Sequence, residues 1–430
     1  MLAETLEQIQ SLPSKRAMYV RSILAALATF AVVNAAGYFL FGPWRGDFDV
    51  FHIVAQRVWL GDVDQTYRFE AFTKIQTEVA GRAVNGLSWT YPPQFDLLFA
   101  PFGLLPAWAA YLLFIGATLA LYSMTLRAIA GESFGQILVI LFPAIALNIS
   151  IGQNGLLTGA LIGLVCINVQ KRQVPGQLLS GQLLAGLALG AMVIKPHLGI
   201  SVGIYLLATR RWMAIATAAM VVFVSSLLCT LVFGVQIWTA WLGAIREAAG
   251  FLDRGMYPLY RMISCYAALY KAGVPATGAF WGQTVVAGLA LLAVVLAITR
   301  RVSPPFALGI SAMVSVMISP YAYDYDLPIV GIGLALLLPD LVRLASARER
   351  SVIYGLIMLA GGHGLLQVTG LAQSVQNTTL AALATMALLA VLLRILLRKA
   401  QPTLAPTLAP TLASSPEPAQ IRPRPAGALE

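Results

Sequence analysis

Six short stretches of this sequence carry side chains that could do chemistry. They are Arg45-Gly46-Asp47-Phe48-Asp49-Val50-Phe51-His52, Trp89-Thr90-Tyr91-Pro92-Pro93, Gly152-Gln153-Asn154-Gly155, Lys195-Pro196-His197, the run from Tyr257 to Ser264 that contains Arg261, and Ser319-Pro320-Tyr321-Ala322-Tyr323-Asp324-Tyr325-Asp326. Together they supply carboxylates, cations and aromatic rings. A carboxylate can take the proton from an attacking hydroxyl. Cations can neutralise an anionic group such as a lipid phosphate. Rings and polar groups suit a polar substrate such as a sugar.

The elements that must position these residues are apolar helices. Of 430 residues, 59% are hydrophobic and 11% are charged, against about 25% charged in an ordinary soluble domain. Such a chain cannot cover a water-facing surface, and its apolar runs of about 20 residues are the length that crosses a bilayer. The fold class is all-α, a polytopic integral membrane helical bundle. The net charge of +10 does not point to nucleic acid, because the basic residues fall in short clusters between apolar runs. Lys15-Arg16, Lys171-Arg172, Arg210-Arg211, Arg300-Arg301, Arg348 with Arg350, and Arg398-Lys399 fit cytoplasmic loops under the positive-inside rule.

Walking the chain with those clusters inside gives about 12 transmembrane helices, near 18–41, 107–127, 134–148, 155–171, 178–194, 197–210, 212–234, 283–300, 304–319, 325–341, 352–369 and 378–398. Residues 1–17 form a cytoplasmic amphipathic N-terminus, and 18–398 the membrane domain, with external segments at about 42–92 and 235–282. Residues 399–430, rich in Pro and repeating Pro-Thr-Leu-Ala, form a disordered cytoplasmic tail. The leftover run Pro93–Leu105 would cover roughly 20 Å as a helix, too short to cross, and reads as a re-entrant half-helix. This topology puts all six polar stretches on the external face, around a cavity that opens outward. Irregular backbone and ionisable groups at membrane depth mark function by default.

Each candidate has a plainer reading beside the functional one. Asp47 is either a catalytic carboxylate or the cap of a helix beginning near Phe48. Asp49 falls on the solvent side of the next turn and reads as structural. Lys195 either serves the site or snorkels to the interface. His52 and His197 read as hydrogen-bonding groups at the rim. Three Asp-x-Asp triplets occur, Asp47/Asp49, Asp62/Asp64 and Asp324/Asp326, but no strand–helix alternation surrounds them and no ligand cluster has zinc spacing. No metal and no cofactor are expected. Cys166, Cys229 and Cys265 are too scattered for a disulfide framework. Asp96, inside the half-helix, either faces the cavity or snorkels outward.

Several of these residues resemble glycosyltransferase family 87. They are Gly46-Asp47-Phe48 with Phe51, Gly61 and Tyr67; Tyr91-Pro92-Pro93 with Pro101 and Leu105-Pro106; Gly152-Gln153-Asn154-Gly155; Lys195-Pro196 followed by Arg210-Arg211-Trp212; and Ser319-Pro320-Tyr321 with Asp324-Tyr325-Asp326. The resemblance covers roughly residues 20–340. It implies a C-type glycosyltransferase fold with its active site at the extracytoplasmic face of the cell membrane. It also implies transfer of a hexose, mannose by family expectation, from a polyprenyl-phosphate-sugar donor to a glycolipid or glycan acceptor, with inversion. Asp47 matches the family's catalytic base, with Asp49 as the secondary acidic candidate. Lys195, Arg261 and Arg45 are the candidates for the donor phosphate, and Tyr91, Gln153, Asn154, His197, Tyr321, Asp324 and Asp326 for the substrate. The chain departs from the family at His197, where Gln is usual, at His52, where an aromatic is usual, at Arg261, where Lys is expected, and at Asp96, which replaces an apolar residue. The rival class is a multi-span transporter or lipid flippase. Spans mostly free of charge and a long external segment favour the enzyme.

Overall fold

The computed structural model describes residues 2–10, 13–42, 46–170, 177–300, 302–370 and 378–398. Arg45 and the tail 399–430 lie outside them. Residues up to Leu396 form one compact unit; Leu397 onward belongs to a second, of which only Leu397 and Arg398 are described. The helices are α1 (Leu2–Gln10), α2 (Pro13–Phe41), α3 (Asp47–Leu60), α4 (Phe69–Ala80), α5 (Pro93–Phe99), α6 (Ala107–Ala130), α7 (Phe134–Ile151), α8 (Gly155–Val169) and α9 (Gln177–Ala191). They continue as α10 (Ile200–Ala208), α11 (Trp212–Phe233), α12 (Gln236–Asp253), α13 (Cys265–Lys271), α14 (Ala276–Thr299), α15 (Pro304–Val314), α16 (Pro328–Leu344), α17 (Ala347–Thr369) and α18 (Leu380–Leu397). Among the described residues there is no strand, only an isolated bridge between Met262 and Tyr323. The protein is an all-α, multi-pass membrane bundle.

Among the described residues, seven stretches are long and apolar enough to cross a membrane, one of them (Ala107–Ile151) containing both α6 and α7, and four shorter apolar helices accompany them. The expectation of about twelve crossings counted shorter segments such as α8 and α10 as full spans; length and composition alone license the seven. The re-entrant run resolves into α5 and a 3-10 turn, Ala100–Leu104. Pro92, Pro93 and Pro101 break it up, because proline donates no backbone N–H and restricts the residue before it.

Helices α7, α8, α15 and α16 form the interior, with α7 packed on α17 and α2, and α8 on α6, α9 and α16. Small residues permit this. A Cβ on Gly159 would lie 2.9 Å from the Tyr122 ring, and one on Gly163 2.4 Å from Thr125. Gly309 and Gly333 face each other across α15 and α16, where a Cβ on either would lie 2.8–2.9 Å from the other's carbonyl oxygen. Close backbone approach replaces the hydrophobic driving force that lipid removes. By contrast, α11 buries only Ala214 and Cys229, and its exposed Phe223, Met220 and Leu231 form a surface matched to hydrocarbon.

The two long segments expected to be external also fold. The stretch 42–92 contains α3, a 3-10 turn at Val63–Tyr67 and α4, and it is closed by Gln76, whose amide exchanges two hydrogen bonds with the Leu87 backbone. The second segment holds α12, a 3-10 turn at Leu259–Arg261 and α13. The amphipathic α1 packs against α17 through buried Ala3 and Leu6, and Arg350 grips Glu7 with two nitrogens.

Candidate active site

Asp47 is the first residue of α3. The capping task belongs not to it but to Asp49, whose Oδ2 accepts the Gly46 N–H at 2.9 Å and the Tyr38 hydroxyl at 3.4 Å. Asp49 is 2% exposed, which overturns its placement on the solvent side. A third-position helix carboxylate that reaches back to the cap turns toward the preceding segment, and here that segment is the end of α2. Asp47 is thereby left to the site, with about a quarter (24%) of its side chain open.

Gln153 reaches it from the turn between α7 and α8. Gly152 takes a left-handed φ of 70° there, and a Cβ on it would lie 2.4 Å from Phe48, so the turn requires glycine. The Gln153 amide donates to Asp47 Oδ2 at 3.0 Å and accepts the Tyr91 hydroxyl at 3.3 Å and the Asn154 N–H at 3.2 Å. Asn154 is buried beside the Tyr91 phenol. The Tyr91 ring stacks on Phe95 at 4.5 Å and meets Phe51 edge-on at 5.5 Å.

Arg261 arrives from the 3-10 turn Leu259–Arg261, between α12 and α13. Its Nε and NH2 donate to the two oxygens of Asp324, at 3.2 and 2.9 Å, while its NH1 stands 3.9 Å from Asp47. Lys195 sits between α9 and α10 and donates to Asp326 at 2.8 Å. It is 6% exposed, so the snorkelling reading is overturned: a buried carboxylate partner holds the ammonium inside. The Tyr325 ring lies under both cations, 4.4 Å from Lys195 Nζ and 5.6 Å from the Arg261 guanidinium, and stacks on Tyr323 at 5.0 Å. Cation–π contact of this kind holds a charge while leaving N–H groups available. Arg261 spends two of its five donors on Asp324 and Lys195 one of its three on Asp326.

All six polar stretches therefore have members in or beside one site, although not every expected residue reaches it. Tyr321 packs against Tyr257 in a satellite cluster with Leu259 and Tyr266. His197 lies near Lys195 and Asp326, and its Nε2 is buried without a hydrogen-bond partner. His52 is buried and bonded to the Leu105 carbonyl at 2.9 Å, inside rather than at a rim. Asp62 pairs with Arg57, away from the site. Asp96 neither faces a cavity nor snorkels: it is fully buried, and the Tyr67 hydroxyl and Trp89 indole point at its two oxygens. Two glycines that sequence reasoning missed shape the site. A Cβ on Gly155 would fall 1.7 Å from the Tyr325 carbonyl, and one on Gly364 2.6 Å from an Asp324 carboxylate oxygen. In the sequence Gly155 stands out only as part of a motif, and no pattern marks Gly364. Among the described residues no group of three or more His, Cys, Asp or Glu could hold a metal ion.

Fold and site thus define a multi-pass membrane protein with a tyrosine-lined cluster of paired charges where its helix ends meet. Residues 89–320, more than half of the chain, match the model of glycosyltransferase family 87, and the chain belongs to that family. It is a membrane glycosyltransferase. Tyr91, Gln153, Asn154, Lys195, His197 and Arg261 lie within the matched stretch, Asp47 precedes it, and Tyr321, Asp324 and Asp326 follow it. No curated protein matches the chain. Among solved structures it is similar to ArnT from Cupriavidus metallidurans bound to undecaprenyl phosphate, at 15% identity over 88% of this chain and 77% of that one, with a TM-score of 0.36.

Proposed function

We propose that the protein moves a hexose, mannose by family expectation, from a polyprenyl-phosphate-sugar donor to a glycolipid or glycan acceptor at the extracytoplasmic face of the cell membrane. The observation that carries this reading is the contrast among its carboxylates: Asp47 is open and singly hydrogen-bonded, 3.9 Å from Arg261, whereas the carboxylates that hold Arg261 and Lys195, Asp324 and Asp326, are buried. Asp47 removes the proton from the acceptor hydroxyl as that oxygen attacks the anomeric carbon. The bond to the lipid phosphate breaks, and the electron pair leaves with the phosphate oxygen. The free N–H groups of Arg261 and Lys195 neutralise that charge, so no acid is needed at the leaving group. Gln153 holds the Asp47 carboxylate from the side, and the Tyr91 phenol, hydrogen-bonded to Gln153, borders the place for the sugar. One base and a single displacement give inversion. Membranes carrying wild type or Asp47→Asn, supplied with radiolabelled polyprenyl-phosphate mannose, test the proposal. Transfer by the wild type and its loss in a folded, inserted variant supports it. A fully active variant moves the base elsewhere, and an inactive wild type removes the donor assignment.

A further inference from the structure

Asp96 is fully buried, and among the described residues no cation acts on it. Its surroundings can be resolved by counting protons. The Tyr67 hydroxyl oxygen lies 2.7 Å from Asp96 Oδ2 and 3.0 Å from the Tyr91 carbonyl, and the Trp89 indole N–H lies 2.9 Å from Asp96 Oδ1. A carbonyl only accepts and an indole only donates. One Tyr67 proton cannot give both contacts a full hydrogen bond, and the arrangement that satisfies both has it serve the Tyr91 carbonyl while Asp96 supplies the proton between Tyr67 and Asp96. An ionised Asp96 would take the Tyr67 proton for itself and leave two bare oxygens facing each other at 3.0 Å. Three contacts need three protons, and only a neutral acid supplies the third.

We infer that Asp96 is a protonated carboxylic acid that positions Tyr91, donating to Tyr67, which in turn donates to the Tyr91 backbone, with Trp89 fixing the other oxygen. The inference rests on the reading of Tyr91 as part of the active site. Tyr91 precedes two prolines, so its backbone is confined to extended conformations, and the orientation of its carbonyl sets where its ring and hydroxyl point. That hydroxyl leads through Gln153 to Asp47. A buried chain of this kind is worth more satisfied than broken, because each orphaned group bears its full desolvation cost. The titratable groups facing Asp96 are the Tyr67 phenol and, from α11, the Cys229 thiol; among the described residues no basic side chain acts on it. Asp96 lies in α5, outside the candidate membrane spans, and burial pushes its carboxyl up to about 8, outweighing the opposing pull of its contacts with Tyr67 and Trp89. Burial likewise pushes the Tyr67 phenol well above its ordinary range, so it keeps its proton.

Asp96→Asn reproduces the neutral acid, since its amide donates to Tyr67 and its oxygen accepts from Trp89. Asp96→Ala removes both partners, and Tyr67→Phe breaks the chain at its middle with little change of volume. At neutral pH, transfer should fall about tenfold in Asp96→Ala and Tyr67→Phe, the loss of one buried hydrogen bond, with Asp96→Asn recovering to within about threefold of wild type. Wild-type activity should decline as pH rises through about 8, and the Asp96→Asn profile should lack that step. Infrared spectra of the purified protein should contain a protonated-carboxyl stretch at pH 7 that is missing from Asp96→Asn and bleaches in alkali. Absence of that band, an Asp96→Asn variant as impaired as Tyr67→Phe, or superimposable pH profiles would each overturn the inference. The infrared band is read without any substrate. If the wild type transfers no sugar, the proposed function falls while the state of Asp96 is still decided.

Discussion

The chain builds two Asp-x-Asp turns on one plan and uses them differently. In both, the second carboxylate accepts the backbone N–H three residues earlier: Asp49 from Gly46 at 2.9 Å and Asp326 from Tyr323 at 3.1 Å. In both, the first carboxylate faces Arg261. Asp324 takes two hydrogen bonds from that guanidinium and has no exposed side chain, whereas Asp47 stands 3.9 Å from it and keeps 24% of its side chain open. The second residues differ as well, since Asp326 holds the Lys195 ammonium and Asp49 holds the Tyr38 hydroxyl. A local motif thus fixes where a carboxylate sits, and what comes to meet it fixes what it does. Fully engaged, a carboxylate anchors a cation; left partly open, it can receive a proton.

The comparison breaks most visibly at the two ends of this scale. Asp47→Asn should lower transfer by about 10²- to 10⁴-fold, the range of a lost general base, while the thermal unfolding midpoint in detergent stays near wild type. Asp326→Asn should do the reverse in emphasis. It leaves the Lys195 ammonium buried and uncompensated, at a cost of roughly 3–5 kcal/mol, seen as a lowered midpoint and poor yield of folded protein. Replacing both partners, with Lys195→Met and Asp326→Leu, should recover much of that stability and none of the transfer. If Asp47→Asn unfolds the protein as readily as Asp326→Asn, the division between base and anchor is wrong.

Between these lies a test of the Asp324 anchor that leaves every charge in place. A methyl group on Gly364 would lie 2.6 Å from an Asp324 carboxylate oxygen, and Asp324 is held from its other side by Arg261. Gly364→Ala must therefore shift the ion pair toward Asp47 or strain α17. Activity should fall about tenfold, the cost of one weakened charge-assisted hydrogen bond. Gly362→Ala, one turn face away and with open space around its Cβ position, should leave transfer at wild-type levels. Equal behaviour of the two variants would remove Asp324 from the site's geometry.

The sequence was legible where physics is local. Apolar runs located the helices closely: 212–234 was expected and α11 spans Trp212–Phe233, and the run too short to cross became the short α5 followed by a 3-10 turn. Residue types and proline-bearing turns also picked out the six stretches that the fold brings together. Pairing was not legible, because it depends on contacts between turns that lie far apart in the chain. Lys195 and Asp326 are 131 positions apart, and nothing along the chain distinguishes a snorkelling lysine from one that meets a buried carboxylate. Asp49 was misplaced for a related reason. Helical periodicity gives a residue's face, but a capping carboxylate bends back along the axis and leaves that face. Asp96 is undecidable from sequence because Tyr67 and Trp89, its two hydrogen-bond partners, come from another element and from the turn before it.

The smallest expected effect is the one that most sharpens the contrast between the two turns. Asp49→Asn keeps an oxygen that can accept the Gly46 N–H, so α3 stays capped and Asp47 stays where Gln153 can hold it. Activity should remain within about threefold of wild type, since capping strength is nearly equal for Asn and Asp. Asp49→Ala removes the acceptor and should cost about 1 kcal/mol of stability, read as a modest drop in the unfolding midpoint. Its transfer rate should fall only as far as the loosened first turn lets Asp47 wander from Gln153. The two aspartates lie two positions apart on α3 and share an element, a charge and a side-chain length. An Asp49→Asn variant as inactive as Asp47→Asn would mean that the proton goes to Asp49, or to the pair, and that openness at Asp47 is not what selects the base.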